Sequence, residues 1–439
     1  MVLNALFSIG LLLTSSSQLR FLEVRGVGPG EILLLVWLIS MLMREVARLG
    51  PPLTPALSRL LVFWALLLAA ECFGTLAGFV LQDRHDPIWF LHDVFAYSMM
   101  APLSCFCLAR PAAEQRLHQA AWFISVGGSV FLAVQIANAL YLRHIPVVDP
   151  WYWDRLRGWS QNPNQLAFLC VALGALSLHL AETSHGIRKI GALACMPLPI
   201  AVGFLTKSDA FIFVLALGSL AYLFLKIRQM LCRATSETSG RSAFAWILVG
   251  ALPLILIAAA PLAASIAAGT VDLAKHLSKD SGKDAEQEME VRLNLWTQAI
   301  ARGFDSGMLG LGPGPHLQIP LSLVEERAVE DEPKNLVHPE PGDAPNFEAH
   351  NTFLDLFVQG GLLAVLSFAW LVGSTISATY RGRRDALVVL LGGLVVFGMV
   401  HFIIRQPIFW FAMALCSITP VVRRSDAAPA ARILLEAEV

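Results

Sequence analysis

A chain of 439 residues that is 56% hydrophobic and only 15% charged, with a mean hydropathy of +0.62, lies far from soluble proteins, which carry about 25% charged residues. Its formal net charge of −1 gives no case for nucleic-acid binding, which needs a basic surface to meet the phosphates. The seven cysteines (Cys72, Cys105, Cys107, Cys170, Cys195, Cys232 and Cys416) fall in apolar spans or in loops read as cytoplasmic, so no disulfide framework is implied.

A helix needs about 20 apolar residues to cross a bilayer core, and somewhat shorter runs are tolerated. Taken in order, twelve such spans are expected: Val2 to Ser17, Pro29 to Met43, Ser58 to Leu81, Trp89 to Ala109, Gln119 to Leu142, Asn164 to Ala181, Ile190 to Leu205, Asp209 to Leu225, Ala243 to Ala268, Asn351 to Thr379, Ala386 to Ile404 and Pro407 to Val421. The first has no basic n-region and no small-residue cleavage pattern, so it reads as a retained helix. With the N-terminus inside, seventeen Lys and Arg fall on cytoplasmic segments and eight on the short outer loops, and this bias sets the orientation. The expectation is an all-α polytopic bundle in three parts: residues 1–269, a large extracytoplasmic loop at 270–349, and residues 350–439 with a cytoplasmic tail.

The unusual polar residues gather on the outer face. The loop from Trp151 to Asn164 holds Arg155, Arg157, Asn162 and Asn164. Guanidinium forks bind phosphate and amides hold sugar hydroxyls, although the arginines can also meet lipid headgroups, Arg155 can pair with Asp154, and Asn162-Pro163-Asn164 can simply cap the sixth helix. Trp151, Tyr152, Trp153 and Trp159 read as an interfacial aromatic belt rather than a sugar platform. Thr206-Lys207-Ser208-Asp209 and Arg405-Gln406-Pro407 lie on the same face.

Within the long loop, Met289, Leu293, Trp296 and Ile300 recur at helical spacing, which predicts an amphipathic helix from Ala285 to Phe304 carrying Arg292, with Glu288 as a ready i−4 partner. Gly310-Leu311-Gly312-Pro313-Gly314-Pro315-His316 is turn chemistry, read as a rigid turn rather than a phosphate cradle because two prolines remove donors. The segment from Val324 to Asp343, with Glu325, Glu326, Glu330, Asp331 and Glu332, reads as a solvated linker. His350 stands where this loop meets the tenth span, placed to act as a general base, with Asp355 one turn beyond Asn351. Glu71, His92, Asp93, His179 and His401 are candidates for a polar core within the spans, without assigned roles. No metal-binding motif is present, and no metal or other cofactor is expected.

Arg157-Gly158 followed by Asn162-Pro163-Asn164, Thr206-Lys207-Ser208, Arg292 with Trp296, Gly310-Leu311-Gly312-Pro313-Gly314, and His350-Asn351-Thr352-Phe353-Leu354 followed by Gly360-Gly361 together resemble the bacterial O-antigen ligase and polymerase family. The resemblance covers roughly residues 150 to 405 and lies in motif order. It implies a GT-C-like membrane glycosyltransferase of the bacterial inner membrane. Such an enzyme moves a glycan, without metal, from an undecaprenyl-diphosphate donor to a hydroxyl of lipid A core or of another lipid-linked glycan, at the periplasmic face. The family's functional arginines would fall on Arg157 and Arg292 and its histidine on His350, with Arg155, Asn162, Asn164, Lys207, Asp355 and Arg405 as substrate-binding candidates. In one departure, Asp209 stands where many relatives carry Arg, which leaves Lys207 as that loop's cation. The rival class is a transporter or flippase of lipid-linked sugars, which predicts internal pseudo-symmetry and polar groups near the bilayer midplane.

Overall fold

The computed structural model describes residues 2–19, 27–47, 53–81, 87–109, 113–142, 148–237, 281–318 and 346–418. The expected span Ala243 to Ala268 and the acidic segment from Val324 to Asp343 lie outside the described residues, as do the side chains of Glu288 and Met289. In chain order the helices are α1 (Val2–Leu13), α2 (Pro29–Val46), α3 (Pro55–Val80), α4 (Pro87–Leu108), α5 (Ala113–Ala137), α6 (Pro163–Thr183), α7 (Gly186–Ala194), α8 (Pro197–Leu205), α9 (Asp209–Glu237), α10 (Ser281–Asp305), α11 (Thr352–Arg381), α12 (Asp385–Phe397) and α13 (Pro407–Ser417). Several, including α3, α6 and α13, open on proline, whose missing N–H costs nothing in a first turn.

Among the described residues seven helices are long and apolar enough to cross a membrane: α3, α4, α5 with its π-helical continuation, α6, α7 together with α8, the first part of α9, and α11. The chain is therefore a polytopic helical membrane protein. Three of the other expected spans are shorter apolar helices, α1, α12 and α13. Yet α13 buries every residue from Pro407 to Ser417, the pattern of a helix apolar on all sides and surrounded by others. Its Trp410 stacks against Phe63 and Trp64 of α3 at 5.5 and 4.6 Å between ring centroids, and donates to the Ile404 carbonyl at 2.6 Å.

Helix α11 packs along α3 and is broken within the apolar region. Gly361 takes φ 64 and ψ −159, a conformation open only to glycine. Such a break frees backbone groups where no water can reach them, so they must find partners in the protein. The turn at 308–314 supplies those partners: Leu311 N–H donates to the Val358 carbonyl (2.7 Å), Gly312 N–H to the Gln359 carbonyl (2.8 Å), and Leu362 N–H to the Met308 carbonyl (3.0 Å). Gly310, Gly312 and Gly314 all hold positive φ to make this approach. A Cβ on Gly361 would lie 2.1 Å from the Met308 carbonyl oxygen. Gly361→Ala is therefore expected to cost more than the about 1–2 kcal/mol of a left-handed L-residue alone. A thermal melt of the detergent-purified variant should show the loss, and an unchanged midpoint would rule out a tightly seated break.

Candidate active site

The first turn of α11 is fastened on three sides. Asn351 caps it, accepting from the Phe353 and Leu354 N–H groups at 3.0 and 3.4 Å. Buried Thr352 donates its hydroxyl to the His401 carbonyl (2.7 Å) and accepts from Ile403 N–H (3.1 Å), which joins the turn to the connection between α12 and α13. Buried Asp355 accepts from Ala349 N–H (2.7 Å) and Asn351 N–H (3.1 Å), folding the preceding chain back over the helix end. Between those two amides His350 is exposed and takes φ 52, an uncommon conformation held because its neighbours are fixed.

Helix α10 reaches the same place. Trp296 of α10 donates its indole N–H to the Ala349 carbonyl at 3.0 Å, and half-buried Arg292 lies one turn before it. His350, Arg405 and Arg292 all lie near enough to half-buried His401 to act on it electrostatically. Three segments distant in sequence, the α10 face, the His350 turn and the 401–405 connection, therefore converge.

Beneath them lies a buried polar network. Arg405 pairs with Asp93 of α4 (Nη1 to Oδ1, 2.5 Å) and with Glu348, its guanidinium 4.7 Å from the centre of the Phe402 ring. Burial alone would weaken the Arg405 cation, but Asp93 and Glu348 outweigh it and hold its pKa above the ordinary arginine range. Asp93 also meets His92 Nδ1 at 3.0 Å and accepts from Gln359 Nε2 at 3.2 Å. Gln359 in turn donates to the Gly314 carbonyl (3.1 Å) and accepts from the Tyr97 hydroxyl (2.5 Å). Nearby, the Glu71 carboxylate is buried beside Gly360, with no hydrogen-bond partner among the described residues.

The segment before α6 forms a small hairpin, β1 (Trp151–Tyr152) against β2 (Arg155–Leu156), turning through Trp153 at φ 56. Arg157 donates Nε to the Asp149 carbonyl and Nη2 to its carboxylate, both at 2.9 Å, and lies over the Tyr152 ring. Arg155 does not pair with Asp154. It reaches the Thr206 carbonyl (3.2 Å) and Asn164 Oδ1 (3.4 Å), while Asp154 takes Lys207, whose ammonium hydrogen bond lowers that carboxyl below its usual range. Asn162 accepts from Asn164 N–H at 2.8 Å and so caps α6.

Of the residues singled out by sequence, Arg292, His350, Asp355 and Arg405 are brought to one place. Arg155, Arg157, Asn162, Asn164 and Lys207 make up a second cluster, at the hairpin and the start of α6. Asp355 is engaged by two backbone amides and Arg405 by the Asp93 and Glu348 carboxylates. Glu348, Gln359 and Tyr97 were not singled out. The one signal for Gln359 and Tyr97 is a polar group inside an apolar span.

A helical membrane bundle whose buried polar groups underlie a turn bearing a histidine, next to a loop helix bearing an arginine, has the layout of a membrane-embedded enzyme. The sequence profile described as O-antigen ligase matches residues 194–369, from the end of α7 through α10 and the glycine turn into α11. The matched stretch is thus similar to the O-antigen ligase family, which supports the resemblance read from the motifs and suggests an O-antigen ligase-type membrane enzyme of glycosyl transfer. Comparison with curated proteins returns no match.

Proposed function

We propose that the chain transfers a glycan from an undecaprenyl-diphosphate-linked donor to a hydroxyl of lipid A core or of a second lipid-linked glycan, at the periplasmic face of the inner membrane and without metal. The observation that carries this reading is the His350 turn, clamped by Trp296 and Asp355 while Arg292 and Arg405 stand close by. The acceptor hydroxyl gives its proton to the His350 imidazole as its oxygen bonds to the anomeric carbon. The bond from that carbon to the diphosphate oxygen breaks, and undecaprenyl diphosphate leaves with its charge met by Arg292. Arg157 is the second cation of this reading, at the hairpin.

The transporter reading would use the break in α11, since unwound helices bind cargo through freed backbone groups. Here the Val358 and Gln359 carbonyls are already bonded to Leu311 and Gly312, which favours the enzyme.

Purified protein given lipid-linked donor and acceptor should form product equally well with a strong chelator present. Loss of product that magnesium or manganese restores would overturn the arginine mechanism. In cells, loss of a ligase leaves long lipid-linked polymer, and loss of a polymerase leaves single repeat units. Arg292→Lys and Arg157→Lys keep the charge but lose the planar fork, so each should impair turnover. Equal turnover in both variants and the parent would remove the guanidinium clamp.

A further inference from the structure

We infer that α10 is an interfacial membrane helix, with its outward face seated among the acyl chains of the leaflet that borders the long loop, rather than a loop helix standing in water. The helix is apolar on two sides. Its inward side buries Leu295 and Ala299 in a small core with Leu311, Val358 and Ala349. Its outward side carries Leu293, Ile300 and Phe304, at intervals of seven and four residues, and the chain continues into Met308 and Leu309; all five are exposed. A helix in water places charge on its outward side, whereas from 291 to 305 the one charged residue exposed is Asp305, in the last turn.

The occupant follows from continuity. Phe304 packs edge-on against Phe357 of α11 at 5.6 Å, and the Met308 carbonyl accepts from Leu362 N–H of the same helix. Leu362, Leu363 and Leu366 are exposed in turn, on a helix long and apolar enough to span the membrane. The apolar strip of α10 thus extends the lipid-facing strip of α11 without a step. Six of the eight charged residues of α10 fall in its first half, at Lys283, Asp284, Glu286, Glu288, Glu290 and Arg292, none lies from Leu293 to Ala301, and Arg302 and Asp305 follow at its end, where a charged head can reach the headgroups. This seating holds Trp296 and Arg292 at the water–lipid boundary, where an indole is at home. The inference is independent of the reaction catalysed.

The test is photocrosslinking from a benzophenone-bearing amino acid placed singly at Ile300 or Phe304, in protein reconstituted into vesicles of phosphatidylethanolamine and phosphatidylglycerol. Leu366 serves as the lipid-facing reference and exposed Gln161 as the water-facing one. Positions 300 and 304 should give phospholipid adducts at a yield comparable to 366, with adducts lost at 161. Yields at 300 and 304 as low as at 161, or crosslinks to a second copy of the chain in place of lipid, would overturn the inference.

Discussion

His350→Ala is expected to lower glycan transfer by about 10²- to 10⁴-fold, the usual worth of a positioned general base. The protein should remain inserted and should elute normally, because the side chain is exposed and Trp296 and Asp355 bond the backbone of the turn. Asp355→Asn offers a discriminating companion. Its carboxylate accepts from two amides on either side of His350, and an amide side chain can serve both only by turning a donor toward one of them. That variant should lose turnover while keeping the imidazole, and its transfer should still fall toward acidic pH, as expected of a base that must be neutral to act. In vitro transfer on variants matched for expression is the measurement, and near-normal turnover in His350→Ala would remove the base from the mechanism.

Arg405→Met is expected to destabilise the bundle by about 3–5 kcal/mol, because deleting one partner leaves buried charge uncompensated. Asp93 is wholly buried and Glu348 largely so, and both face this guanidinium. Adding Asp93→Asn to Arg405→Met should restore part of the loss, since it removes one of the stranded charges. Melting midpoints of the single and double variants in the same detergent test this. Strict additivity would mean that the two side chains are not coupled.

Local pattern made some of this legible and left the rest hidden. The loop helix was readable from its period, and its observed bounds, Ser281 to Asp305, extend the expected ones by a turn or less. Its phase was not readable. Leu293 and Ile300, grouped with Trp296 as one apolar face, point outward, while Leu295 and Ala299 pack inward. A helix apolar on two sides has no single face for a periodic pattern to find. Asp93 and Arg405 each stood out as charge in or beside apolar sequence, but their pairing spans 312 positions, which no local rule reaches. The break at Gly361 was hidden because a glycine pair is common enough in a membrane helix that runs on unbroken. Counting apolar runs likewise could not tell that every residue of α13 is buried within the bundle.

The glycine turn that seals the break in α11 also bears on how the chain is made. The turn precedes its partner carbonyls by about 50 residues, so at about 5–20 residues per second it leaves the ribosome a few seconds before α11 is complete. α3, whose Gly74 lets this backbone approach closely, is older still. When the interrupted helix arrives, its two halves meet a receptor already assembled from earlier chain, and the exposed amides need not wait in lipid. Biogenesis thus runs in the direction that the architecture requires. A circular permutation that delivered α11 before the glycine turn would ask the insertion machinery to release a helix with nothing to close its gap.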